Sequence, residues 1–133
     1  MSEKFDAIVV GAGVAGLSAA YVMAKAGLDV IVIEKGKYPG AKNVMGGVLY
    51  RHMMDENSAV QTGYRDMEWS KPPYNNFTVF RGKFDQWFAK KCIEAGALII
   101  NETVVKECIV ESNKVVGVST DRPDGKIYAD VVV

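Results

Sequence analysis

The chain has 133 residues, 49% of them apolar, and its 16 Lys plus Arg balance 16 Asp plus Glu. This suits one globular domain with its own core and excludes a disordered or fibrous chain. With no net field and no block of like charge, nothing favours nucleic acid or anionic lipid as a partner, so function must be read from sites.

Phe5 to Val10 is a short apolar run bounded by glycine and reads as a buried strand. Val14 to Ala26 reads as a helix ended by Gly27, and Asp29 to Glu34 as a second strand, giving a β-α-β unit with parallel pairing. The uncharged stretch from Ala7 to Ala24 approaches the minimum length of a membrane span. Gly11, Gly13, Gly16 and Ser18 dilute it, and Glu3 and Asp6 replace the positive start of a secretory signal, so a cytoplasmic protein is expected.

Gly36 to Gly47, with Pro39 and its glycines, reads as a loop, and Val48 to Glu56 as a short helix. Ala59 to Arg65 and Phe77 to Arg81 read as strands about the turn-rich Lys71 to Tyr74. Lys83 to Ala95 is an amphipathic helix whose Phe84, Trp87, Phe88 and Cys92 form its core stripe, and Gly96 ends it. Ala97 to Ile100 is a third apolar strand. Thr103 to Glu111, Val115 to Thr120 and Lys126 to Val133 form a meander turning at Ser112-Asn113 and Pro123-Asp124-Gly125. Cys92 and Cys108 lack metal or redox spacing and read as free thiols.

Gly11-Ala12-Gly13-Val14-Ala15-Gly16 is a GxGxxG run lying between strand and helix. Gly11 permits the tight turn, Gly13 admits a pyrophosphate, and Gly16 lets helix and strand pack closely. The N–H groups of Val14 and Ala15 face the phosphate oxygens at the positive helix end. Glu34, about twenty residues on, is placed to accept hydrogen bonds from an unphosphorylated ribose and to repel a 2′-phosphate. The elements together imply an adenine dinucleotide, and the motif leaves FAD and NAD both open.

The run Glu34-Lys35-Gly36 through Gly40-Ala41-Lys42-Asn43-Val44-Met45-Gly46-Gly47-Val48-Leu49-Tyr50-Arg51-His52 resembles the FixC-like proteins of the electron-transfer-flavoprotein:quinone oxidoreductase and geranylgeranyl reductase flavoprotein family. Phe77 to Phe88 and Ala95 to Ile99 are similar to that family too. The resemblance implies an α/β Rossmann-like FAD-binding domain of glutathione-reductase type over residues 1–133, with a parallel sheet, a three-stranded antiparallel meander and FAD as cofactor. By resemblance, Gly46 and Gly47 lie near the flavin or ribityl chain, and Arg81 meets the FAD phosphates or ribityl region. Val105 meets the adenine through its backbone, and Lys35 and Lys42 are further cationic contacts. Without it, Arg81 reads as a solvated strand-end cation and Val105 as an ordinary strand residue. His52 reads as a surface residue. Nothing forms a nucleophile triad or carboxylate dyad, and a flavin needs neither.

The family implies an oxidoreductase passing electrons from an electron-transfer flavoprotein to quinone or a ferredoxin-like protein, with membrane association in the full-length complex. Alternatives are an isoprenoid-chain reductase of the geranylgeranyl type, a non-catalytic nucleotide-fold module, and a NAD-only Rossmann protein, which the long loop and meander fit poorly. Relatives carry a few dozen more residues where Met53 to Asn57 bridge here, and run on past Val133 through an Ala-Asp-Gly turn into a substrate domain. The chain therefore reads as a fragment expected to bind FAD weakly and not to catalyse alone.

Overall fold

The structure is a computed structural model that describes residues 4–43, 46–50, 71–72 and 76–133. In chain order the elements are β1 (Lys4–Val10), α1 (Val14–Lys25), β2 (Val30–Ile33), β3 (Gly46–Tyr50), β4 (Asn76–Phe80), α2 (Arg81–Glu94), β5 (Leu98–Ile100), β6 (Val105–Glu111), β7 (Lys114–Thr120) and β8 (Lys126–Val132). One six-stranded sheet runs β5-β2-β1-β8-β7-β6, and β3 pairs with β4 in a separate two-stranded sheet. β2 is parallel to β1 and β5, and β8 is parallel to β1; β6, β7 and β8 are mutually antiparallel. The expected α/β architecture, parallel sheet and meander are thus borne out. The last meander strand is also a member of the parallel sheet, so the two parts share one hydrogen-bonded surface.

The alternation of β2 shows how the sheet builds its core. Val30 and Val32 face one cluster with Ala7, Val9, Leu17, Ala20, Phe88 and Cys92, while Ile31 and Ile33 face a second with Ile8, Val118 and Ala129. Side chains of period two therefore bury both faces of the strand, as a parallel central strand requires. α1 and α2 lie together on the first face. Both end alike. Gly27 and Gly96 take positive φ (85° and 108°), the N–H of Leu28 reaches the Met23 carbonyl, and that of Ala97 reaches the Cys92 carbonyl. These are Schellman caps, in which glycine pays no Cβ penalty. The turn at Ser112-Asn113 has positive φ at both residues (48° and 62°) between the paired Glu111 and Lys114, the hairpin geometry that matches strand twist.

Several expectations are corrected. Val48 to Tyr50 is strand, not helix, because Gly46 to Tyr50 pairs antiparallel with Asn76 to Phe80; the remainder of that expected helix, and the expected strand at Ala59 to Arg65, lie outside the described residues. The same pairing puts Gly46 and Gly47 in β3 rather than in the loop. α2 begins at Arg81, two residues before Lys83, so Arg81 is the first helical residue and not a strand end. Trp87 is 53% exposed: the buried face of α2 is Asp85, Phe88, Ala89 and Cys92, and Trp87 projects beside it, its ring tilted against that of Phe84 at 5.6 Å between centroids. The uncharged run from Ala7 to Ala24 divides into β1, the turn and α1, and no helix among the described residues is long and apolar enough to cross a membrane.

Cys92 is fully buried, donates its thiol to the Leu17 carbonyl at 3.2 Å, and has its pKa raised by burial from 9.0 to about 11. Cys108 is exposed. A thiol reagent should therefore titrate one cysteine in the native chain and both after unfolding. Because the folded pKa lies above the unfolded one, the stabilising contribution of the neutral thiol is complete below pH 9 and is lost as pH rises through about 11. The fall in urea midpoint across that interval should be shallower in Cys92→Ala.

Candidate functional site

The C-terminal ends of β1 and β2 and the start of α1 converge on the glycine turn. Gly11 takes φ 101°, outside the range of most side chains, and donates its N–H to the Ile33 carbonyl at 2.8 Å. Gly16 sits where an added Cβ would meet the Gly11 carbonyl oxygen and approach Val9 Cγ1 to 3.1 Å, so helix and strand close only around glycine. Gly13 is the N-cap of α1, no side chain caps it, and no acid occupies the first turn. Nothing lies within 4 Å of the position its Cβ would take. An uncapped helix start with open space before it suits an anion, since its N–H groups and the helix dipole both favour negative charge. Val14 and Ala15 are the residues whose N–H groups stand there.

Glu34 is held from two sides. One carboxylate oxygen accepts the Ala12 N–H at 2.8 Å and the other accepts the Gly36 N–H at 2.6 Å. The carboxylate therefore staples the glycine turn to the loop after β2, and each oxygen keeps acceptor capacity for a ribose hydroxyl. The backbone extends this joint. The Glu34 N–H reaches the Ile100 carbonyl at 2.8 Å, the Thr103 N–H reaches the Glu34 carbonyl at 3.0 Å, and the Glu102 N–H reaches the Gly36 carbonyl at 3.0 Å. Val105, two residues past Thr103, opens β6 opposite Thr120 and packs against the second core cluster. The expected ribose acid and adenine contact are thus carried by one run of paired backbone. Lys35 follows Glu34 and is exposed, as is Lys42 at the end of the loop.

The second group of residues gathers at the start of α2. Asp85 is completely buried and accepts Asn43 Nδ2 at 2.6 Å, Arg81 Nε at 3.1 Å and Arg81 Nη2 at 3.3 Å. Gly40, at φ 85°, lies so close that an added Cβ would come within 2.8 Å of Asp85 Cβ and 3.2 Å of Gly82 Cα. Gly46 and Gly47 pair with Phe80 and Val79, which lead directly into Arg81. Gly46 is thereby paired with the residue that precedes Arg81.

Asp85 and Asn43 escape the sequence reading. The signal was present: Asp85 occupies the position three before Phe88 and seven before Cys92, a charge on the apolar stripe of α2. Arg122 was missed too. Its guanidinium donates to Thr103 Oγ1 at 2.7 Å and to the Asn101 carbonyl at 3.1 Å, tying the β7–β8 turn to the chain beside Glu34. No group of three or more His, Cys, Asp or Glu among the described residues could hold a metal.

Residues 2–124 match the Thi4 family. The chain is 45% identical over its full length to Protein FixC of Bradyrhizobium diazoefficiens, and 38% identical over 98% of its length to the probable electron transfer flavoprotein-quinone oxidoreductase YdiS of Escherichia coli. It spans only 37% and 36% of those two proteins. Among solved structures, a geranylgeranyl bacteriochlorophyll reductase-like protein of Thermoplasma acidophilum superposes with TM-score 0.76 at 22% identity, covering 98% of this chain and 38% of that one. The myxobacterial chondrochloren halogenase CndH, a variant of FAD-dependent halogenases, superposes with TM-score 0.71 at 19% identity, covering 98% and 36%. At such identities the likeness is one of fold.

Two substitutions test this geometry without any ligand. Gly16→Ala forces backbone apart and should lower stability by about 1–3 kcal/mol in urea unfolding. Glu34→Gln turns one acceptor into a donor facing the N–H of Ala12 or Gly36, and should cost about 1–2 kcal/mol. Unchanged midpoints would show that the staple contributes nothing to the free protein.

Proposed function

This chain belongs to the Thi4 family, is FixC-like along its whole length, and from that premise we propose that it is the FAD-binding part of a flavoprotein oxidoreductase that takes electrons from an electron-transfer flavoprotein and passes them to quinone. One observation carries the cofactor reading. An open, uncapped helix start at Gly13 stands beside an acid, Glu34, oriented by two backbone N–H groups. Such a site takes a pyrophosphate and an unphosphorylated ribose.

The residues present fit FAD. The N–H groups of Val14 and Ala15 would bind the pyrophosphate, Glu34 the ribose hydroxyls, and the backbone at Val105 the adenine. Arg81, Gly46 and Gly47, with the cations Lys35 and Lys42, would serve the phosphate, ribityl and flavin region. A bound flavin supplies reversible two-electron and one-electron redox chemistry of its own. The chain supplies orientation and charge: the fixed carboxylate selects a ribose with free hydroxyls and repels a 2′-phosphate, and the α1 dipole offsets the phosphate charge without a bound cation.

The donor and acceptor rest on the name carried by the Escherichia coli relative. A ferredoxin-like acceptor and membrane association of the full-length complex rest on the family resemblance alone, and a cytoplasmic location on the sequence pattern between Glu3 and Ala24. The isoprenoid-chain reductase alternative leans on a structural neighbour at 22% identity, which speaks to fold, whereas 38% identity to a probable electron transfer flavoprotein-quinone oxidoreductase favours electron transfer. A purely structural module is the outcome to be tested against.

Titration of the chain with FAD, FMN and NADP, followed by flavin fluorescence and by competition, discriminates these readings. FAD should bind at least about tenfold more tightly than FMN, which lacks the adenosine half, a difference of about 1.4 kcal/mol. NADP should compete poorly. A folded chain with no preference between FAD and FMN would overturn the proposal.

A further inference from the structure

We propose that Asp85 is a positioning residue for the cofactor site: its buried carboxylate fixes the Arg81 guanidinium and the Asn43 amide, locking the loop from Gly36 to Asn43 onto the first turns of α2. The inference rests on the FAD reading and adds a residue that does not itself touch the cofactor.

The argument begins from an oddity of burial. A fully buried carboxylate in a helix face otherwise built of Phe88, Ala89 and Cys92 is a poor way to gain stability, since an apolar residue of similar volume would pack there without desolvating a charge. What the carboxylate provides instead is direction. It accepts two bonds from Arg81 and one from Asn43, so a long flexible cation and a loop amide are each held in one orientation. Arg81 spends Nε and one Nη2 hydrogen on Asp85, and among the described residues its other three N–H donors have no further acceptor. Its side chain is 31% exposed, so Arg81, unlike the buried Asp85, is within reach of a ligand.

Placement decides which ligand atoms those donors serve. The loop that Asp85 anchors through Asn43 starts at Glu34 and Gly36, on the ribose side. Arg81 follows immediately on Phe80, the partner of Gly46, on the β3–β4 side. Gly40 pressed against Asp85 sets the distance between the two. Arg81 thereby stands where an elongated ligand continues past the adenosine half, and its free donors suit the second phosphate or ribityl oxygens.

The test compares FAD with AMP, which has the adenosine half but neither the second phosphate, the ribityl chain nor the flavin. Dissociation constants are measured for the unaltered chain, Asp85→Asn, Arg81→Gln and the double variant. Asp85→Asn should weaken FAD by about tenfold and AMP by less than about twofold, and the double variant should be no weaker than Arg81→Gln alone, the signature of two residues acting as one unit. Losses that multiply, or FAD and AMP affinities that fall in parallel, would overturn the positioning role. Should Asp85→Asn not fold, Arg81→Lys keeps a cation against Asp85 but loses the fork, and must show the same FAD-selective loss; equal affinities to the unaltered chain would refute the proposal. Absence of FAD binding by the unaltered chain would instead defeat the functional reading beneath it.

Discussion

Glu34 ties together three parts of the chain, through its carboxylate and through its backbone. Its oxygens take the N–H groups of Ala12 and Gly36, its own N–H goes to Ile100 and its carbonyl receives Thr103. Three segments distant in sequence, the glycine turn, the loop after β2 and the crossing from β5 to β6, are therefore fixed relative to one acid. Charge-assisted bonds from backbone N–H groups are among the stronger ones a protein makes, and here they are short. The carboxylate is thus held in one orientation by the fold itself, so a ligand that used it would not meet the entropy of ordering it.

That arrangement depends on close packing behind it. Gly16 brings α1 against the end of β1, and the apolar side chains of Leu17, Ala20 and Ala24 bury the helix on the sheet. The start of α1 is held at the glycine turn because the helix's apolar face is buried on the sheet. The hydrophobic effect positions the helix, and the uncapped backbone at Gly13 then presents the charge complement that a pyrophosphate requires.

Around Asp85 the logic is reversed: a polar group has been taken into the core, and its partners converge on it. Nearby in sequence, Phe80 is 76% and Trp87 53% exposed. The chain spans little more than a third of the relatives it matches. The FixC likeness covers all of it.

The sequence by itself determined the β-α-β opening, the glycine turn with its acid, the helix ends at Gly27 and Gly96, and the meander. Each is a local matter of spacing, of glycine at positive φ, or of alternation along a strand, and such signals are written within a few residues. The FixC resemblance was likewise legible in the run from Glu34 to His52. Only the tertiary structure decided that Gly46 to Tyr50 pairs with Asn76 to Phe80, that Trp87 leaves the core while Asp85 enters it, and that Arg81 begins a helix with its guanidinium tied down. Those outcomes turn on which distant segments meet, and a single acid in an apolar stripe does not announce its partners 42 positions away. The two N–H groups on Glu34 belong to both classes: the acid was readable, and the staple it makes was not, because Ala12 comes within 2.8 Å of it only when the sheet is assembled.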